Sequence, residues 1–238
     1  MRQLPKRPDL PKPLAKRLAR ETRAITSAVD PKAEATRRYA NARATKWFRP
    51  VLHTLRTLAG TGGRCMFCSG SESSNIDHYR PQAVFPELAM LWENYLWVCG
   101  ICNGSKLSRF PLAVDELLIN PLEENVWEYF FLDDQGRLTA RWSLSHNALH
   151  PRALSTMKLI SLDRDDLQNS RWLRLIALRR EANDSITLCK NNHLTKTALR
   201  KRVADWRAEP FQSDVADYFL NGPGREEEPF AELFELLE

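Results

Sequence analysis

No stretch of the 238 residues approaches the roughly eighteen consecutive apolar positions that a membrane-spanning helix needs, so a bilayer-embedded chain is not expected. The opening segment, MRQLPKRPDLPKPLAKRLAR, lacks the apolar centre of a secretory signal. Asp9, Glu21 and four early prolines also argue against an organelle transit peptide, and the expected location is cytoplasmic. Nothing resembles a phosphate-binding P-loop, so any dependence on ATP would have to come from another polypeptide. Internal repeats are absent. Cysteine is scarce: five residues make a poor disulfide framework for a cytosolic chain.

Acidic residues are rare at one end and crowded at the other. Residues 1–50 hold fourteen Lys or Arg against four Asp or Glu, a local balance of +10 within an overall +5. Residues 225–238 hold six glutamates and one arginine, a balance of −5. A basic arm suits a polyanion, because each Lys or Arg brought to a phosphate releases condensed counterions. A solvated helix face would carry the same charges. The acidic end reads as a tail that shields the basic surface, docks on a partner or keeps the chain soluble.

Helix formers dominate from Leu14 to about Ala28 and again from Lys32 to Leu58, after an extended, proline-rich lead-in over residues 5–13. Asp30 suits a helix cap and Pro31 the first turn behind it. GTGG at 60–63 stops helix formation. Further on, VWEYFFLDDQGRLTARW predicts a β-hairpin around an Asp-Gln-Gly turn. The remainder reads as helical. Leu154, Met157, Leu159, Ile160 and Leu162 form one apolar cluster, and Asp163 caps a long helix carrying Leu167, Trp172, Leu175, Ile176 and Leu178. Another helix is expected from Leu194 to Ala208 and a short one over QSDVADYFL. The expected division is a basic helical extension (1–60), a cysteine-braced core (61–121), a hairpin and helical region (122–224) and the acidic tail (225–238). The fold class is α+β, mostly helical.

Four of the five cysteines fall as two Cys-x-x-Cys pairs, Cys65 with Cys68 and Cys99 with Cys102, with thirty residues between the pairs. That pattern fits a structural zinc ion held by four thiolates. A thioredoxin-type redox pair explains neither the duplication nor the missing βαβ context. Cys189 stands alone and reads as a partly buried core residue.

Between and just after the pairs lie IDHYRP and ENYLWVCGICNGSK. Asp77-His78, then Asn94, then Cys-x-x-Cys followed by Asn103 and Lys106 resembles the HNH nuclease motif, where a four-cysteine zinc knuckle often supports a ββα-metal site. The order, the nine-residue interval from Asn94 to Asn103 and the lysine match; Asn103 stands where the commoner motif has histidine. The resemblance implies that His78 is the general base, that Asp77 and Asn103 hold the catalytic ion, and that Asn94 fixes the loop bearing the base. The chemistry is coherent: a divalent cation offsets charge on the scissile phosphate and the leaving oxygen while a neutral imidazole takes a proton from water. Asparagine in place of histidine exchanges a nitrogen ligand for an oxygen, which favours Mg2+ or Mn2+. Arg80 and Lys106 are the nearest expected phosphate contacts. His53, His146, His150 and His193 lie outside the motif.

A wider resemblance, over about Arg64 to Leu220, rests on DHYRP, SRFPL, ELLINP with the hairpin, STMKLISLDRDDLQNSRW and EPFQSDVADYFL. These segments resemble an HNH subfamily of bacterial anti-phage defence that includes the nuclease subunit of Septu systems, also carried by some retron operons. It implies a nucleic-acid substrate, DNA above RNA, and an ABC- or SMC-like ATPase partner docking on the helical C-terminal half. Hydrolysis by water needs no 2′-hydroxyl, so an RNA-cleaving enzyme stays open, as do a zinc-stabilised binding module with a decayed site and a structural subunit of a defence complex.

Overall fold

The computed structural model describes residues 1–60, 62–70, 73–206 and 213–238. The chain is a mostly helical α+β protein whose described strands form three two-stranded antiparallel sheets. None of the described helices is long and apolar enough to cross a membrane. Helices α1 (Lys12–Thr26), α2 (Pro31–Arg43) and α3 (Arg49–Leu58) precede β1 (Ser73–His78), β2 (Tyr95–Cys99) and α4 (Gly100–Lys106). The C-terminal half carries the hairpin β3 (Phe130–Leu132) and β4 (Leu138–Ala140), then β5 (Trp142–Ser143), β6 (Ala148–Leu149), α5 (Pro151–Ile160) and the long α6 (Asp165–Lys190). It closes with α7 (Lys196–Asp205), α8 (Asp214–Asn221) and α9 (Phe230–Glu235).

Local signals explain most of these boundaries. Asp30 caps α2, its carboxylate accepting from the Ala33 amide at 3.0 Å. Gly136 closes the β3–β4 turn at φ +75°, where a Cβ would meet the Trp172 amide nitrogen of α6 at 2.5 Å. The single helix expected over 32–58 is two. Pro50 cannot donate to an α2 hydrogen-bond ladder, and a 3-10 turn at Lys46–Phe48 turns Phe48 into the core instead. Asp163 does not cap α6; the capping position is Arg164, whose guanidinium bonds Asp166 and the Ser161 carbonyl. The expected helix end at 207–208, and Gln212 ahead of α8, lie outside the described residues.

Both ends of the chain are more integrated than their composition implies. The lead-in is irregular but not free: Met1, Leu4 and Leu10 are buried, and Gln3 donates its amide to Asp217 at 2.7 Å. The glutamate-rich end is not a solvated tail either. Phe230 and Leu233 of α9 are fully buried, α9 packs on α6, and Phe230 stacks on Phe219 with ring centroids 3.8 Å apart. Of the six glutamates only Glu232 and Glu235 lie on that short helix; Glu226, Glu227 and Glu228 precede it and Glu238 follows.

Arg171 interrupts the apolar stripe of α6 and is sealed in the core, where its Nε donates to Asp214 Oδ2 at 2.8 Å. The Met1 ammonium donates to the same oxygen at 3.0 Å. Burial alone would raise the Asp214 carboxyl, but these two cations hold it well below the usual carboxylate range. Removing one partner of such a buried pair leaves an uncompensated charge. Arg171→Ala is therefore expected to cost about 3–5 kcal/mol in denaturant unfolding. Because the folded carboxyl lies below its unfolded value, its contribution is complete above roughly pH 4 and fades as the pH falls further. Wild-type melting temperature should decline through that acid range, and Asp214→Asn should flatten the decline.

Candidate functional site

The two Cys-x-x-Cys pairs meet in space. The Sγ atoms of Cys65, Cys68, Cys99 and Cys102 all lie within 4.8 Å of one another, buried and free of disulfides. Cys65 and Cys68 sit in a tight turn in which the Ser69 amide returns to the Cys65 carbonyl and the Gly70 amide points at Cys68 Sγ, 3.4 Å away. Cys99 ends β2 and caps α4, its sulfur accepting from the Cys102 amide at 3.4 Å. A tetrahedron of Zn–S bonds of about 2.3 Å has edges of about 3.8 Å, and the Cys68 and Cys99 sulfurs stand 3.8 Å apart. The other three thiols, Cys102 first, pull Cys68 well below the ordinary thiol range, while burial lifts Cys65 well above it. Four buried sulfurs at this spacing could bind a metal ion such as zinc.

The junction they brace carries the other candidate residues. Asp77 and His78 end β1, paired in register with Leu96 and Tyr95 of β2, and α4 follows directly and packs on both strands. His78 is 7% exposed, and its Nε2 lies 2.9 Å from the Ala89 carbonyl. A carbonyl only accepts, so Nε2 carries the proton and Nδ1 is the basic nitrogen. Nδ1 takes no hydrogen bond from the described residues and is not among their sealed, unpartnered atoms, so it retains some exposure. The second lone pair of the Ala89 oxygen is filled by the Tyr95 hydroxyl at 2.8 Å. Burial, with help from Lys106 and Arg43, lowers His78 to about 4 despite the opposing Ala89 bond. The imidazole is thus neutral near pH 7.

Asn94 is a clamp. Its Oδ1 accepts from the Arg80 amide at 2.8 Å, and its Nδ2 donates to the Arg80 carbonyl at 2.9 Å and to the Leu88 carbonyl at 3.1 Å. The side chain thereby acts as an extra strand edge, tying the backbone just after His78 to the segment that supplies Ala89. Arg80 itself is exposed, its guanidinium 5.8 Å from the Phe85 ring centroid.

Lys106, expected as a phosphate contact, is not at the surface. It is fully buried, with Nζ 3.1 Å from Asp77 Oδ1, 3.0 Å from Oδ2 and 2.6 Å from the His78 carbonyl. Lys106 follows Cys102 by four residues and so shares its buried helix face. Desolvation raises Asp77 to about 6 and lowers Lys106, each partly offset by the other. Asp77 is therefore the counter-ion of a buried lysine. Its Oδ2 is sealed and lies at ion-pair distance without a hydrogen bond of its own, so lone-pair capacity remains. Asn103 is half-buried on α4, one turn before Lys106, and its side-chain amide makes no hydrogen bond among the described residues.

Two residues of the basic extension reach this site unannounced by the motif. Tyr39 of α2 sets its ring edge-on to His78, centroids 4.5 Å apart, and its hydroxyl is buried without a partner. Arg43, one turn further along α2, places its guanidinium 5.9 Å from the Tyr39 ring centroid. The signal for Tyr39 was its helical spacing from buried Ala35 and Ala42. In comparisons with known proteins, no protein-family model and no curated protein matches the chain.

The cysteine cluster is open to direct measurement. Protein purified without added metal is expected to contain one zinc per chain by elemental analysis, and Cys99→Ser to lose it together with several degrees of melting temperature. Full thermal stability of that variant, or of chelator-treated protein shown to be metal-free, would remove the metal from the account.

Proposed function

We propose that this protein is a metal-dependent HNH endonuclease that hydrolyses phosphodiester bonds, with DNA favoured over RNA. The observation that carries the reading is the state of His78. Its Nε2 is committed to the Ala89 carbonyl, which leaves a neutral ring with an open Nδ1. On this reading β1, β2 and α4 form the ββα core, and the cysteine cluster holds the structural zinc.

In the proposed reaction His78 Nδ1 takes a proton from a water molecule whose oxygen attacks phosphorus. The P–O3′ bond breaks, and the released oxygen takes its proton from solvent. Products then carry 5′-phosphate and 3′-hydroxyl ends. Asp77 Oδ2 and the Asn103 side-chain oxygen are the hard donors that would hold Mg2+ or Mn2+, supplying charge stabilisation at the leaving oxygen. Asn103, half-buried and without a side-chain hydrogen bond among the described residues, has the free oxygen this assignment needs; the sealed Asp77 Oδ2 has the lone pair and must be uncovered beside Lys106 to use it. Asn94 acts through the backbone: by clamping Arg80 and Leu88 it sets the distance between His78 and its Ala89 partner. Arg80, exposed two residues beyond the base, remains the assigned phosphate contact of the loop.

The defence role and the ATPase partner rest on the sequence resemblance alone and belong to the same proposal. Co-expression tests them: no co-elution with an ATPase encoded beside this chain, under any nucleotide condition, would end that part of the reading.

The nuclease itself is tested with purified protein, plasmid DNA and total RNA, each with Mg2+, with Mn2+ and with no added cation. Cleavage should need the cation, and His78→Ala should reduce it at least about a hundredfold with zinc content unchanged and the chain still folded by circular dichroism. Wild-type turnover by His78→Ala would overturn the base assignment. Cation-independent binding without turnover would favour a decayed binding module.

A further inference from the structure

From Ala35 to Ser71 the chain contains seven Lys or Arg and no Asp or Glu. Arg37 and Arg38, the first two, are engaged by Glu34. The next three, Arg43, Lys46 and Arg49, are exposed, and none forms an ion pair among the described residues. They occupy one continuous turn of chain: the last residue of α2, the first of the 3-10 turn and the first of α3. The inner side of that turn is anchored by Phe48, which is fully buried and packs edge-on against Tyr39 and Tyr95 at centroid distances of 6.1 and 6.0 Å. The outer side of this anchored turn therefore presents three exposed cations close together in the chain. It begins beside Tyr39, the residue whose ring lies against His78.

We propose that Arg43, Lys46 and Arg49 form a phosphate-binding strip that seats the backbone of duplex DNA and leads it to His78. The second half of that statement rests on the nuclease reading; the first does not. Charge complementarity selects a polyanion, and the side chains present select a duplex. Single strands are held chiefly by bases stacking on exposed aromatic rings. Here Tyr39 and Phe48 are buried, and Trp47 is half-buried with the Arg17 guanidinium 4.3 Å from its ring centroid. No large hydrophobic side chain between α2 and the end of α3 is exposed. What remains for a ligand is a set of cations without stacking surfaces, which positions a phosphate backbone and reads no bases.

The test measures binding apart from cleavage. A fluorescein-labelled DNA duplex of about 20 base pairs is titrated by anisotropy without added divalent cation, across a series of KCl concentrations. Each phosphate contact adds about 0.9 to the slope of log K against log salt, so Arg43→Ala/Lys46→Ala/Arg49→Ala should flatten the slope by about 2–3 and weaken binding at least about tenfold. Arg43→Gln alone should flatten it by about 1. Lys196→Ala/Arg200→Ala/Lys201→Ala on α7 removes the same charge elsewhere and should change neither quantity by comparison. The single strand, and an RNA duplex of the same sequence, should bind more weakly than the DNA duplex.

The strip is overturned if the wild type does not bind the duplex, if its triple variant binds undiminished with the wild-type melting temperature, or if the α7 control loses as much. Preference for the single strand or the RNA duplex also overturns it, as does binding of a poly-glutamate peptide with equal affinity and the same dependence on the strip. The two proposals fail separately. Strip-dependent binding with no cleavage in Mg2+ or Mn2+ removes the nuclease and leaves the strip. Cleavage by a triple variant that binds like wild type removes the strip and leaves the nuclease.

Discussion

Four sulfur atoms within 4.8 Å of one another set the geometry of everything around the candidate site. Two come from a turn ahead of β1 and two from the junction of β2 with α4, so the cluster joins segments with thirty residues between them. A small two-stranded sheet has little rigidity of its own. A metal ion held by all four sulfurs would tie its open end to the start of α4 and fix the direction in which that helix leaves. The direction in turn places Lys106 under Asp77 and sets Asn103 one turn closer to the cluster. With the four thiols unbridged, β1 and β2 would keep their hydrogen bonds, but the helix would have no such fixed origin.

Buried charge does the complementary work. Lys106 with Asp77 ties α4 to β1, and Arg171 with Asp214 ties α6 to α8. Neither pair is an efficient source of stability, because desolvation consumes most of the Coulomb energy. Each is specific, however. A helix that must bring one ammonium to one carboxylate has few alternative registers, and a slip by a single residue would strand both charges in the core. At Asp77 this specificity bears on the proposed chemistry, since the group that would hold the divalent cation is already neutralised by a lysine. Any cation bound there shares the carboxylate with Lys106.

What could be read from the sequence was local. The two cysteine knuckles, the Asp30 cap and the Asp-Gln-Gly hairpin each depend on residues a few positions apart, and each lies where its pattern put it. The mostly helical α+β class followed from the same short-range patterns. Contacts that close over long distances were not legible: Tyr39 meets His78 across 39 residues, and Gln3 meets Asp217 across 214. In two places a signal was present but outweighed by charge. Lys106 sits four residues after Cys102, on a face that had to be buried, yet a lysine suggests solvent. Phe230, Leu233 and Phe234 repeat at helical spacing, but six surrounding glutamates disguise the helix as a tail.

The first residues of the chain are fastened to nearly the last. Gln3 and Asp217 bond directly, and Arg2 reaches the Ala59 carbonyl, so the strap spans the protein from α3 to α8. The Gln3–Asp217 bond closes a separation of 214 residues, so forming it costs more chain entropy than any local contact in the fold. A variant cut ahead of α8 would keep Asp77, His78, Asn94 and Asn103 and lose this tie between α3 and α8.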